Sequence, residues 1–214
     1  MKQFNFLFLL SFYSLLNLQG QVRNPNLLVF VGEKITFERL PETMEYKYIV
    51  DFAFKAKYKV NQIVFGQYLK DTIEFEVHDH HGPPSFIKSK NVLLYLSQDE
   101  TGKWIQQKNI YSDVYPTIDG RWAGPYNYGD YSDISNKNIN IKPETIHFKD
   151  SVWINIEWTK AYNNKISKRT RKLWYPEPYY EIRADSALVK MGNYTEDLLI
   201  IQKYGVLEAR GIIW

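Results

Sequence analysis

The chain of 214 residues contains no cysteine. That absence removes disulfides, a thiol nucleophile, cysteine-ligated zinc or iron–sulfur centres, and lipoprotein anchoring through an N-terminal cysteine. Small exported animal domains lean on disulfides. A cysteine-free exported chain must be held by its core, which fits a bacterial envelope or secreted protein better. Long apolar runs are also missing: beyond residues 1–20 no stretch approaches the ~18 apolar residues of a transmembrane helix. Charge of one sign is not in excess, with 27 Lys and Arg against 24 Asp and Glu, so attraction of the whole molecule to nucleic acid or acidic membrane is not expected. No G-x-S-x-G elbow and no H-E-x-x-H occurs. The eleven glycines form no phosphate-cradling loop, and Asp130 and Asp133 lack the dense oxygen ligands of an EF-hand. Paired carboxylates of the glycosidase kind leave no mark in a sequence, because their pairing is spatial.

What the chain does have is aromatic residues: 17 Tyr, 12 Phe and 6 Trp, 16% of the total. Aromatic and β-branched residues suit pleated, half-buried surfaces, so this points to strands. With 44% hydrophobic and 24% charged residues the composition is that of a folded chain rather than a disordered one.

Residues 1–20 read as a cleavable signal peptide. Lys2 supplies a positive start, Phe4 to Leu16 an apolar stretch, and Asn17-Leu18-Gln19-Gly20 a polar end closing on a small residue. An uncleaved anchor or a buried core strand are the other readings of that stretch. Lys2 is the only charge in the segment, so its removal leaves 26 Lys and Arg against 24 Asp and Glu. The expected location is secreted or periplasmic, with no transmembrane span after cleavage.

From Leu27 onward the hydrophobic period is two. A long strand bent at Gly32 is expected over Leu27–Arg39, a second from about Tyr48 to Gly66, a third around Ile73–His78, a short doubly buried one at Val92–Leu96, and a fifth from Trp104 to Tyr115. Five such strands suit a small barrel, whose closure removes exposed edges. The expected fold is mainly β: a five-stranded OB-like barrel over residues 21–119, a polar aromatic loop at 120–140, and a C-terminal extension of β-hairpin plus helix at 141–214. Val29, Val31, Val50, Phe52, Phe54, Phe75, Val77, Leu94 and Leu96 are the expected inward positions. The hairpin is placed at Val152–Trp158 and Ile166–Trp174 around a turn at Tyr162-Asn163-Asn164-Lys165. Asn193 and Glu196 have the spacing of a capping box for the helix, with a break at Gly205. Asn193-Tyr194-Thr195 also matches a glycosylation acceptor, relevant only to a eukaryotic secretory route.

Three segments carry a resemblance: Leu28-Val29-Phe30-Val31-Gly32-Glu33-Lys34-Ile35, then Lys57-Tyr58-Lys59-Val60 running to Gly66, then Thr72–His78. Together they resemble the netrin-like modules, which share the OB-type barrel of the tissue inhibitors of metalloproteinases. The resemblance covers about residues 27–115 and implies a barrel with a binding role. Those inhibitors reach zinc through an N-terminal cysteine, which this chain lacks, so no inhibitory residue carries over. Pro83-Pro84 also makes a poor helix where an OB barrel often has one.

Three clusters are candidates for function. Glu76, His78 and His80 alternate, so on a strand they would share a face and could offer donors to zinc or copper; the competing reading is a solvated turn ended by Gly82-Pro83-Pro84. Arg121, Trp122, Tyr126, Tyr128 and Tyr131 are candidate partner contacts, since Tyr, Trp and Arg are the usual anchors of interfaces. Trp122 is placed in the core and the three tyrosines in contact with a partner. Lys165, Lys168, Arg169, Arg171 and Lys172 read as a charge-protected edge strand, and in the alternative as a basic site for an anionic glycan or lipid headgroup surface. The function expected is an exported, non-enzymatic binding module for an extracellular or envelope protein or glycan, without a cofactor. A small metal-binding protein or metal-dependent enzyme using His78 and His80, or a structural envelope protein, are the alternatives.

Overall fold

Leu27–Arg39 forms β1, whose first six residues are all buried while its second half is largely exposed. In the computed structural model, which describes residues 26–41, 52–132, 139–156 and 164–214, with 164–168 as backbone alone, this strand organises the fold. The expected leader at 1–20, the positions Tyr48, Val50, Asp133 and Trp158, and the turn at 162–163 lie outside the described residues.

β2 (Phe52–Phe65) pairs antiparallel with β1 from Val29 to Arg39, with register shifts after Val29, Val31 and Lys34. Such irregularities let one strand coil round a small barrel. Gly32 sits between two of the shifts, where an added Cβ would lie 2.7 Å from the Phe30 ring. β3 (Thr72–Asp79) follows β2, and β4 (Asn91–Gln98) and β5 (Trp104–Asp113) form the next antiparallel pair. A parallel contact from Glu76 to Ile105 joins β3 to β5, and β4 returns to β1, closing a five-stranded barrel in the order β1-β2-β3-β5-β4.

The barrel interior holds Leu28, Phe30, Phe54, Ala56, Tyr58, Phe75, Val77, Leu94 and Leu96. Between β3 and β4 the chain makes only a 3₁₀ turn, Ser85–Lys88, after Pro84. Its Phe86 closes the interior, with its ring beside Tyr58 and Tyr111.

A second core covers the outside of β1 and β4, where Leu27, Val29, Val31, Leu93 and Tyr95 pack against Leu198, Leu199, Leu207 and Ile212. Val29 and Val31 therefore point away from the interior, contrary to the expected face. Leu27–Val31 is apolar at every position, so period two cannot say which face is which. Phe52, expected inward, is only half-buried at the barrel's edge.

The segment 120–140, read as a loop, contains β7 (Trp122–Pro125) and a short helix, α1 (Tyr128–Ser132). β7 lies in a four-stranded sheet, ordered β6-β7-β12-β8, with β6 (Tyr115–Pro116), β8 (Glu144–Thr145) and β12 (Met191–Tyr194). The strand expected at Ile166–Trp174 is a helix, α2 (Asn164–Trp174). Lys, Arg and Leu favour helix, and this run has no apolar alternation to commit it to a sheet. The C-terminal hairpin lies further on, between β10 (Tyr180–Arg183) and β11 (Ser186–Val189), and β9 (Trp153–Asn155) pairs with β11.

α3 (Thr195–Gln202) is the expected helix, followed by a π-turn at Lys203–Leu207 kinked at Gly205. Its N-cap is Tyr194, with no side-chain cap bond, rather than Asn193. Asn193 is buried in β12, where it accepts from the Tyr131 hydroxyl at 2.5 Å and donates to the Lys142 carbonyl at 3.3 Å. A side chain so held is not presented as a glycosylation acceptor.

Candidate functional site

Glu76 and His78 share a face of β3, with His78 Nε2 3.5 Å from Glu76 Oε2. Lys103 also reaches Glu76, at 2.9 Å. β3 ends at Asp79, and His80 falls in the turn beyond it, with its ring 6.3 Å from that of His81. Among the described residues no group of three His, Asp or Glu side chains is placed to hold a metal ion. On the same outer surface Lys55 and Lys57 pair with Glu74, so the lysines of β2 alternate with carboxylates of β3 rather than forming a bare basic stripe.

The five residues taken from segment 120–133 separate into different environments. Arg121 pairs with Asp119 at 2.8 Å, and its guanidinium lies 3.3 Å from the centre of the Tyr194 ring. Thr117 and Arg121 together hold the Asp119 carboxyl down at about 2. Trp122 is half-buried and packs on the second core. Tyr126 is buried and stacks on Tyr179 and Tyr131, with ring centroids 4.0 and 5.3 Å away. Tyr131 is partly covered in that stack, while Tyr128 is exposed. Of the basic run, Arg171 pairs with Asp185 at 3.5 Å from the helix, not from a strand edge.

Two concavities have the geometry of a site. The larger, with a volume of about 930 Å³, lies at the end of the barrel where β1, β3 and β5 begin and β2 and β4 end. Its walls are two aromatic pairs: Phe65 with Trp214, 4.8 Å between centroids, and Tyr68 edge-on to Trp104 at 6.3 Å. Tyr68 is fixed by donating to the Thr72 carbonyl, and Lys203 sits 4.8 Å from the Trp214 ring centre. Asn26, Gln67 and Gln98 place amides on the lining, Lys70 is its one charged residue among those described, and Leu69 stands fully exposed at the rim. These residues come from five separate places in the chain, so no local pattern marks the groove.

The smaller concavity, about 250 Å³, lies beside α1 and is walled largely by tyrosine. Asp113 and Asp130 are both on its lining. Asp113 accepts from Ser89 Oγ at 2.5 Å, and burial raises its pKa. Asp130 accepts from Gln202 Nε2 at 3.1 Å, and burial pushes its carboxyl up to about 6. Burial raises the Tyr126, Tyr131 and Tyr180 hydroxyls, and the nearby Asp130 charge adds to each shift.

The Asp130 shift has a consequence for stability. Its folded-state pKa lies above the ordinary carboxylate value, so folding favours the protonated form. The stability so contributed is complete below about pH 4 and is lost as the pH rises through about 6. Asp130→Asn is expected to stabilise the protein by about 1–3 kcal/mol at pH 7–8 and to give no gain at pH 4. Melting curves of both proteins across this range are the check, and a difference independent of pH would refute the assignment.

No protein family matches this sequence, and neither a curated protein nor a solved structure matches it.

Proposed function

We propose that this protein is an exported, non-enzymatic binding module of OB type, and that it recognises a glycan in the groove at the barrel end. The observation that carries the reading is the pairing of Phe65 with Trp214 and of Tyr68 with Trp104 around one open concavity of about 930 Å³. The apolar faces of sugar rings pack on aromatic rings, and amides such as those of Asn26, Gln67 and Gln98 both donate to and accept from hydroxyls. Among the described lining residues Lys70 alone is charged, which suits a neutral or weakly anionic ligand. The volume falls in the ~300–1,000 Å³ range of small-ligand sites.

The OB reading is supported by the closed order β1-β2-β3-β5-β4 and the coiled first strand. OB barrels bind through one sheet face and the loops after strands one and four, and Gln98 and Trp104 bracket the second of these loops. A protein partner is the second reading. It is favoured by Leu69, whose complete exposure beside aromatic walls is the arrangement of an interface anchor. Export rests on the pattern of residues 1–20, and mass spectrometry of the mature protein should find its N-terminus near Gln21.

An oligosaccharide array and a pull-down from the envelope fraction separate the two partners. Trp104→Ala is expected to weaken glycan binding about tenfold or more, while Leu69→Ser leaves it unchanged. Capture of a protein that is lost with Leu69→Ser, with no glycan bound, would move the assignment to the second reading. Undiminished binding by the Trp104 variant would remove the groove.

A further inference from the structure

The tyrosine-walled pocket beside α1 is separate from the barrel-end groove, sharing no lining residue with it. We propose that it is a binding site for an organic cation of the methylated-ammonium class, held by the rings of Tyr111, Tyr128, Trp174, Tyr175 and Tyr180.

The rings form corners rather than a continuous stack on this side. Tyr180 stands at 72° to Tyr126, with centroids 6.3 Å apart, and at 82° to Tyr175, with centroids 5.1 Å apart. The Tyr180 hydroxyl donates to the Tyr126 carbonyl, which fixes that corner from below. Tyr126 has its faces engaged by Tyr179 and Tyr131 and turns an edge to the pocket, while the perpendicular Tyr175 and Tyr180 present π faces from different directions, the arrangement that attracts a cation within ~6 Å of ring centres. Trp174 and Tyr128 are the exposed members, so they stand at the mouth, while Tyr126 and Tyr180 form the buried back.

Charge agrees with this. Asp113 and Asp130 lie on the wall, and among the described lining residues there is no Lys, Arg or His. Both carboxyls are pushed towards their neutral form by burial. A cation in the pocket favours the charged form of both carboxyls, so the carboxylates and the ligand gain from its arrival. The walls also select the kind of cation. Mg²⁺ and Ca²⁺ demand six or more oxygen ligands, which a wall made mainly of rings does not offer. A methylated ammonium is large, weakly hydrated and satisfied by π faces. The volume of about 250 Å³ lies below the ~300–1,000 Å³ of drug-sized ligands, so it takes a head group rather than an extended molecule.

The test uses choline and tetramethylammonium against their uncharged carbon counterpart, 3,3-dimethylbutanol, titrated into the mature protein and followed by calorimetry. Saturable choline binding, competed by tetramethylammonium and weaker by roughly tenfold or more for the alcohol, is the expected result. Trp174→Ala, at the exposed mouth, should lower choline affinity by a similar factor with an unchanged melting temperature. Asp130→Asn should also lower it while the fold is retained. A trimethyllysine peptide that binds more tightly than choline would place the head group on a protein chain, and one that binds no better would place it on a small molecule. Equal affinity for choline and the alcohol, or no saturable binding of either cation, overturns the proposal. Trp104→Ala should leave choline binding intact, so failure of the groove and failure of this pocket are read separately.

Discussion

Phe30→Ala is expected to lower folding stability by about 3–5 kcal/mol. The ring is fully buried in the barrel interior, and Gly32 next along the same face leaves it room by carrying no side chain. Leu94, its partner across β4, and the rings of Tyr58 and Phe86 in the same cluster bound the space it fills. A closed barrel cannot collapse easily onto a lost ring, because each strand is held by pairing on both sides. The cavity therefore persists, and its cost adds to the lost transfer free energy. Urea denaturation of the variant measures this directly. A change within about 0.5 kcal/mol would show that the ring lies outside the core.

Gly192→Ala is expected to be comparably damaging, by about 3 kcal/mol or more, for a steric rather than a cavity reason. Gly192 lies in β12, between β7 and β8. A Cβ there would be driven into the carbonyl oxygen of Gly124 on β7. The obstacle is backbone, so no side-chain rotation relieves it, and the two strands must part. Parting them disturbs Asn193, whose bonds to Tyr131 and Lys142 tie the four-stranded sheet to the tyrosine stack. The variant should show a lowered urea midpoint and a loss of near-ultraviolet circular dichroism from the stacked rings. An unchanged midpoint would mean that the strands do not approach so closely.

The barrel was legible in the sequence because its strands alternate. The expected bounds of β1, and closely those of β3 and β4, are the observed ones. The face of β1 was not legible, since Leu27–Val31 is apolar throughout and serves two cores at once. Ile166–Trp174 reads as the returning strand of a hairpin with its basic residues guarding an edge, yet the same charges suit the solvated helix that forms there, and only tertiary context separates the two. Asn193 and Glu196 carry capping-box spacing, but burial of Asn193 in a strand outweighs a local cap. The tyrosines at 126 and 131 lie in polar surroundings in sequence and stack in space with Tyr179, which no local pattern announces. Both concavities are assembled from segments far apart in the chain.

The outer face of β1 has a bearing on biogenesis. Val29 and Val31 are covered by Leu198, Leu199, Leu207 and Ile212, which leave the ribosome after every barrel strand has been made. Until they arrive, a barrel that has already closed carries an uncovered apolar stripe. A nascent chain at that stage is a natural client for holding chaperones. A molecule clipped before α3 keeps the stripe permanently, so proteolysis of the C-terminal helix leaves the barrel with a sticky face.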